Sequence, residues 1–263
     1  SNENWGSVNG SSNNIVAWCW KAGGAAVSNT NGNITSSVSV NEEAGFSIVS
    51  YTGNGSNGQT VGHGLSKAPQ WIMLKSRTAG SNWRVWQHKL ASDGSKRFLL
   101  DATNASEDAS FLNDTAPSST VFTLGNSDNA WNVNSGTYMA YCWHEVPGYS
   151  KFGSYTGNGS SDGVYVHLGF RPAWILIKSA TYANEWSLFD TARKTFNVGD
   201  LRLEPNSSNA EDSNSVNYHD ILSNGFKMRN SDAARNGSGA TYIYMAFAEQ
   251  PGTTPFETFP NSR

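Results

Sequence analysis

Hydrophobic and polar positions alternate in short runs along this chain, and clusters of Gly, Asn and Ser separate the runs. No stretch holds an apolar period of about 3.6 residues, so helices are not predicted. Apolar or alternating runs of roughly four to eight residues, bounded by turn residues, predict strands instead. After a polar stretch over 1–14 with a turn signal at Asn9-Gly10, residues 15–21 (Ile-Val-Ala-Trp-Cys-Trp-Lys) read as the first strand. A Ser/Asn/Thr-rich stretch of loop and short strands runs on to Glu43. Strands are then predicted over 46–51, 70–76, 83–88, 98–101, 121–124 and 137–146, and 70–76 is apolar enough to be buried on both faces.

The same order then returns. Ser50-Tyr51-Thr52-Gly53-Asn54-Gly55-Ser56 recurs letter for letter at Ser154-Tyr155-Thr156-Gly157-Asn158-Gly159-Ser160, which marks a repeat of 104 residues. Residues 151–155 align with the first strand of the unit and 173–179 with the second. Trp186 aligns with Trp83, 201–204 with 98–101, Phe226 with Phe122, and Thr241-Tyr242 with Thr137-Tyr138. The string Ala17-Trp18-Cys19-Trp20 resembles Ala140-Tyr141-Cys142-Trp143, so residues 15–21 read as the last strand of a preceding unit or an orphan strand.

The predicted fold is therefore all-β: two tandem β-sandwich units of jelly-roll or lectin-like kind, plus an N-terminal strand. The divisions are 1–44 (strand and linker), 45–147 (first sandwich), 148–252 (second sandwich) and 253–263 (an extended tail). Both units are expected to share one strand order. Seven Asn-Gly pairs predict type I′ hairpin turns.

Composition narrows the functional classes. Charged residues make up 15% and aromatics 12% of the 263 residues, with 26 Gly and 10 Trp. That balance fits an extracellular or virion β-protein and carries too many aromatics for disorder. The net charge of -3, with no basic block, argues against nucleic acid as a partner. No apolar run approaches the ~18 residues of a spanning helix, so membrane insertion is not predicted. No signal peptide opens the chain, and its abrupt start at Ser1 predicts a piece of a longer protein. The 2 cysteines, Cys19 and Cys142, occupy similar strings and are expected to be buried free thiols rather than a bridge.

Candidate chemistry is sparse. Gly53-x-Gly55-x-x-Gly58 has the dinucleotide spacing, but no helix is predicted behind it, so it reads as a tight turn and no cofactor is expected. His63 and His167 sit at matching places without further ligands in view and read as structural. His88 follows Trp83 and Trp86, and its counterpart is Thr191. Glu107-Asp108 recurs as Glu211-Asp212; such pairs could act on glycosidic bonds, hold calcium as weak metal candidates, or be solvated loop turns. Eight Asn-x-Ser/Thr sequons follow from the composition. Trp71, Trp174, Trp83 and Trp186 repeat and are expected in the core. Trp5, Trp86 and Trp131 are irregular, and Trp86, Trp131 and His88 are the candidate ligand-binding residues, with indoles able to stack on sugar rings.

Three strings carry a resemblance: residues 17–24, 44–53 and 61–65, continued by 150–159 and 169–174. They resemble a repeat family of virion proteins of tailed phages, common in marine and cyanobacterial phages, across roughly residues 15–250. The resemblance implies a non-enzymatic structural or tail-fibre component on the virion surface that contributes to host attachment. It implies other virion proteins and a host surface glycan or receptor as partners, a homotrimer as the assembly, and no catalytic residues. A carbohydrate-binding module of a secreted protein and a capsid decoration protein are the alternatives. A glycan-cleaving tailspike would need a carboxylate pair in one cleft.

Overall fold

The computed structural model describes residues 15–212 and 218–249. Trp5, the Asn9-Gly10 turn and the 253–263 tail lie outside the described residues.

The chain is all-β, as its alternation dictates. The first unit contributes β1 (Val27–Asn29), β2 (Ser36–Asn41), β3 (Phe46–Thr52), β4 (Gln59–Gly62), β5 (Trp71–Ser76), β6 (Arg84–Gln87), β7 (Lys96–Leu99), β8 (Glu107–Asp108), β9 (Val121–Leu124) and β10 (Thr137–Trp143). The second contributes β11 (Ser150–Thr156), β12 (Tyr165–His167), β13 (Trp174–Ser179), β14 (Ser187–Asp190), β15 (His219–Leu222), β16 (Gly225–Met228) and β17 (Thr241–Phe247). In the first unit an eight-stranded sheet, β1-β2-β3-β10-β5-β6-β7-β8, faces the pair β4-β9. In the second, β11-β17-β13-β14 faces β12-β16-β15. The order β3-β10-β5-β6 is thus repeated as β11-β17-β13-β14, and β4-β9 as β12-β16.

Side chains of the large sheets alternate between two cores. In the first unit Val49, Tyr51, Ile72, Leu74, Trp86, Tyr138, Ala140 and Cys142 face inward onto Val61, Phe122 and Leu124. In the second Tyr155, Ile175, Ile177, Phe189, Tyr242 and Tyr244 face Val166, Phe226 and Met228. The opposite faces of the two large sheets meet in a third core that holds Phe46, Trp71, Val85, Phe98 and Trp143 from the first unit. Phe152, Trp174, Leu176, Trp186, Leu188 and Met245 complete it from the second. The described residues therefore form four sheet layers and three cores. This explains why β5 and β13 read as apolar throughout: each is covered on both sides. The units are fused through that middle layer, where Trp71 and Trp186 lie 6.4 Å apart, edge to face.

The duplicated heptapeptide is a structural staple. Gly53 N–H donates to Gly136 O at 2.8 Å and Gly55 N–H to Asn132 O at 3.0 Å. Gly157 N–H likewise donates to Ala240 O and Gly159 N–H to Asn236 O, both at 2.8 Å. Tyr51 Oη donates to Trp131 O at 2.7 Å, and Tyr155 Oη to Arg235 O at 2.6 Å. Asn132 and Asn236 each accept the following Asn N–H, of Asn54 and Asn158, at 3.1 Å. These amide groups already have protein partners, so the turn cannot cradle a phosphate.

Several expectations are corrected. Residues 15–23 belong to no strand; Trp18 and Trp20 are turned onto the middle core and Cys19 is exposed. Its Ala-Trp-Cys-Trp string has the alternation of β10 but no ladder partner, so Cys19 is free but not buried, whereas Cys142 is free and buried. The described Asn-Gly pairs do not form type I′ turns. Gly55, Gly58 and Gly159 take positive φ, but no asparagine of the pairs does, and a type I′ turn needs both. Two sequence alignments also slip. Val85 pairs with Phe98 as Leu188 bridges Leu203, which places Leu203, not Leu201, at the Phe98 position. Val61 faces Phe122 as Val166 faces Phe226, so His167 corresponds to Gly62 and His63 falls one residue beyond.

Candidate functional site: an aromatic cleft between the two large sheets

The middle layer is sealed at one end and open at the other. At the sealed end Trp186 is fully buried and its Nε1 donates to Leu99 O across the units at 2.8 Å. Ser106 donates to Ala180 O through both its N–H, at 3.2 Å, and its Oγ, at 3.0 Å. Lys178, buried from unit two, donates to Thr103 O at 3.0 Å and Asn184 O at 2.7 Å. Burial pulls the Lys178 ammonium down to about 8.

At the open end the sheets enclose a cleft of about 1370 Å³. Its floor is a row of nearly parallel rings along β3, β10 and the start of β6. Phe46 and Trp143 are 4.9 Å apart at 23°, Trp143 and Tyr141 6.3 Å at 27°, and Tyr141 and Trp83 6.1 Å at 24°. The segment that carries Trp18 and Trp20 closes one flank. Trp20 meets Trp174 edge-on at 5.3 Å and Trp143 at 6.2 Å. Trp18 Nε1 donates to Asp190 Oδ2 at 3.2 Å. The far wall is polar, built from Glu204, Ser207, Ser208, Asn209 and Glu211 of the loop after Leu203. Arg193 bridges it, held by Asp190 at 2.6 Å and by Glu211. Trp143 and Trp174 are buried, and their indole N–H groups make no hydrogen bond among the described residues.

The residues singled out from sequence lie elsewhere. Trp86 is 2% and Trp131 4% exposed, both inside the first sandwich core. Their indole N–H groups donate to Ala91 O and Asn126 O. Neither ring is an exposed platform, because β4-β9 and the loops around it cover that face. Arg84 and Arg97 lie 5.7 and 5.6 Å from the Trp131 ring. His88 is half-buried beside a shallow depression, with Nδ1 3.2 Å from Gln70 O, and burial lowers its pKa. None of the three lines the cleft.

The acidic pairs are held by basic side chains in both units. Glu107 pairs with Arg97 at 3.6 Å and Asp108 with Lys96 at 3.4 Å. Asp212 pairs with Arg202 at 3.0 Å and accepts the Tyr218 hydroxyl at 2.7 Å, while Glu211 binds Arg193. Arg97 and Arg202 are equivalent, so Glu107 corresponds to Asp212 rather than to Glu211. Of the four carboxylates only Glu211 reaches the cleft. No group of three or more His, Cys, Asp or Glu side chains suited to a metal occurs among the described residues. His63 is buried: Nε2 meets Ser118 O at 3.2 Å, Nδ1 accepts Leu65 N–H, and burial lowers its pKa to about 4.

The cleft residues that sequence reasoning passed over are Trp83, Tyr141, Trp143, Trp18 and Trp20. Trp83 read as core because it is repeated as Trp186, and only Trp186 is fully buried. Alternation in 137–143 does place Tyr141 and Trp143 on one face of the strand, away from Tyr138 and Cys142, and that was the available signal.

No curated protein and no solved structure matches the chain. Residues 1–251 match the model of DUF7483, a domain of unknown function, and the chain belongs to that family.

Proposed function

We propose that this chain is a non-enzymatic adhesive module of a virion surface, of the tail-fibre kind, which binds a host surface glycan in the cleft between its two large sheets. The observation that carries the reading is the row of parallel rings at Tyr141 and Trp83 facing a wall of Ser207, Ser208, Asn209 and Glu211. A sugar ring has an apolar face and a hydroxyl-rich rim, and an aromatic floor opposite polar side chains complements both. The carboxylates support binding over cleavage, since they are tied to arginines and lysines rather than paired across the cleft. Contacts of this size are individually modest, and several copies on a particle multiply them.

The test incubates the purified chain with an array of bacterial envelope polysaccharides and follows binding alongside the release of reducing ends. Binding without release is expected. Release that disappears when Glu107, Asp108, Glu211 and Asp212 are changed to amides would overturn the non-enzymatic reading, and binding to no glycan would overturn the adhesive one. Immunolabelling of intact particles places the chain on the virion surface if the reading holds.

A further inference from the structure

We infer that the outer edge of β11 is a docking edge, which takes an extended segment of a different polypeptide as an added antiparallel strand. The two units supply the comparison. In the first, β2 covers the outer edge of β3, with Ser37 opposite Ser50, Ser39 opposite Ile48 and Asn41 opposite Phe46. The residues leading into β2 also cross to the second layer. Ile34 N–H donates to Thr60 O at 3.0 Å, and Ser36 Oγ donates to Gly62 O at 2.7 Å. One segment thus closes the open side of the first sandwich.

In the second unit β11 and β12 are each the first strand of their sheets, and no described strand lies beyond them. The reason is topological. The residues before β11, where a β2 equivalent would stand, form β10, which is held between β3 and β5 as a middle strand of the first unit. Only the bridge between Val146 and Ser150 remains of the missing hairpin.

The edge is partly capped and partly open. Phe152 N–H points outward and donates to Glu145 Oε1 at 3.0 Å. Alternation places the main-chain groups of Ser154 and Thr156 on the same outward side, and both residues are exposed. On β12, Lys151 Nζ meets His167 O at 2.9 Å, where Ser36 serves Gly62 in the first unit. Tyr165 beside it is 43% exposed.

The covered edge defines the chemistry of the guest. β2 is uncharged and alternates serine with valine (Ser-Ser-Val-Ser-Val-Asn), and the guest of β11 has the same small, β-branched, uncharged character. Among its described residues a second copy of this chain has no such strand to give, because its own β3 already holds β2. The guest therefore belongs to a different protein, and the site is independent of the glycan cleft.

The test uses the full chain and a synthetic peptide of its own residues 34–41 (Ile-Thr-Ser-Ser-Val-Ser-Val-Asn) as the probe. Amide hydrogen exchange is read at Ser154 and Thr156, with Ile175 and Ile177 in β13 as internal references. Saturating peptide is expected to slow exchange at Ser154 and Thr156 by about ten-fold or more. The effect is lost with Ser154→Pro, which removes the donor, and with a peptide N-methylated at alternate amides, which leaves the protein unaltered. Three results would each overturn the proposal: no slowing at millimolar peptide, Ser154 and Thr156 already protected like β13 without peptide, or self-association through this edge that Ser154→Pro removes.

Discussion

At one end of the layer between the large sheets, the loop 99–106 of the first unit is fastened to the second; at the other, the equivalent loop 204–211 stands off the first and becomes a wall of the cleft. The equivalence is fixed by two matching contacts: Trp83 N–H donates to Asp101 Oδ1, and Trp186 N–H to Asn206 Oδ1. Small sequence differences break the symmetry. Leu100 N–H donates to Trp83 O, and its counterpart Pro205 has no N–H to give. Ser106 donates twice to Ala180 O, and its counterpart Glu211 is an acceptor that turns to Arg193 instead. Lys178 reaches across to Thr103 O, while Lys75 folds back onto Ser81 O within its own unit. A duplicated scaffold can thus hold a sealed joint at one end and an open cleft at the other by changing a few donors.

The largest expected effect breaks the sealed end. Trp186→Ala should cost about 3–5 kcal/mol of stability, because it empties a fully buried site and orphans Leu99 O. Trp83→Ala, at the partly buried equivalent, should cost about 1 kcal/mol. Urea unfolding of both variants checks this, and equal losses would mean that the two ends are alike.

A second contrast lies between the outer cores. The place that Trp131 fills in the first unit is filled in the second by Arg235, 2% exposed, bound to Ser187 Oγ at 3.1 Å and Asp232 at 2.6 Å and lying 4.7 Å from the Tyr218 ring. His219 lies in that polar cluster, and burial followed by Arg235 lowers it to about 4. Its folded pKa is below the ordinary value, so the unfolded chain takes up the proton first as pH falls. The stability tied to His219 is present above about 6.5 and lost toward 4, amounting to roughly 3 kcal/mol at the low end. Unfolding measured at pH 7.5 and pH 4.5 should show a smaller difference in His219→Gln than in the parent.

A smaller effect sharpens the sealed end on the alkaline side. Lys178 is depressed to about 8, so between about 8 and 10.5 the unfolded chain binds more protons and stability rises with pH. Lys178→Met should flatten that rise, as read from thermal melts between pH 7.5 and 10.

The repeat, the all-β class and the two-sided burial of β5 and β13 were legible because side-chain period and duplicated strings are local properties. The cleft was not. Trp83 and Trp186 share a sequence context, and their different exposure comes from loops about a hundred residues away in the other unit. Trp86 and Trp131 were irregular in sequence because the second unit replaced one ring by Phe189 and the other by Arg235, a change of core chemistry rather than a mark of exposure. The segment 15–21 carried a strand pattern, but a pattern becomes a strand only where an edge is free to pair. Alignment by letters slipped by one or two residues wherever loops of unequal length intervene, and only the ladder register corrected it.

The proposed glycan binding is tested most directly by where the glycan sits. The measurement is a calorimetric titration of the tightest oligosaccharide from the envelope array into the parent protein, Trp83→Ala, and Tyr165→Ala, the last removing an exposed ring of the second unit outside the cleft. The account predicts that Trp83→Ala weakens the Kd by about ten-fold or more, the loss of one stacked ring, while Tyr165→Ala leaves it unchanged. A Kd that survives Trp83→Ala and collapses with Tyr165→Ala would contradict it and move the site out of the cleft.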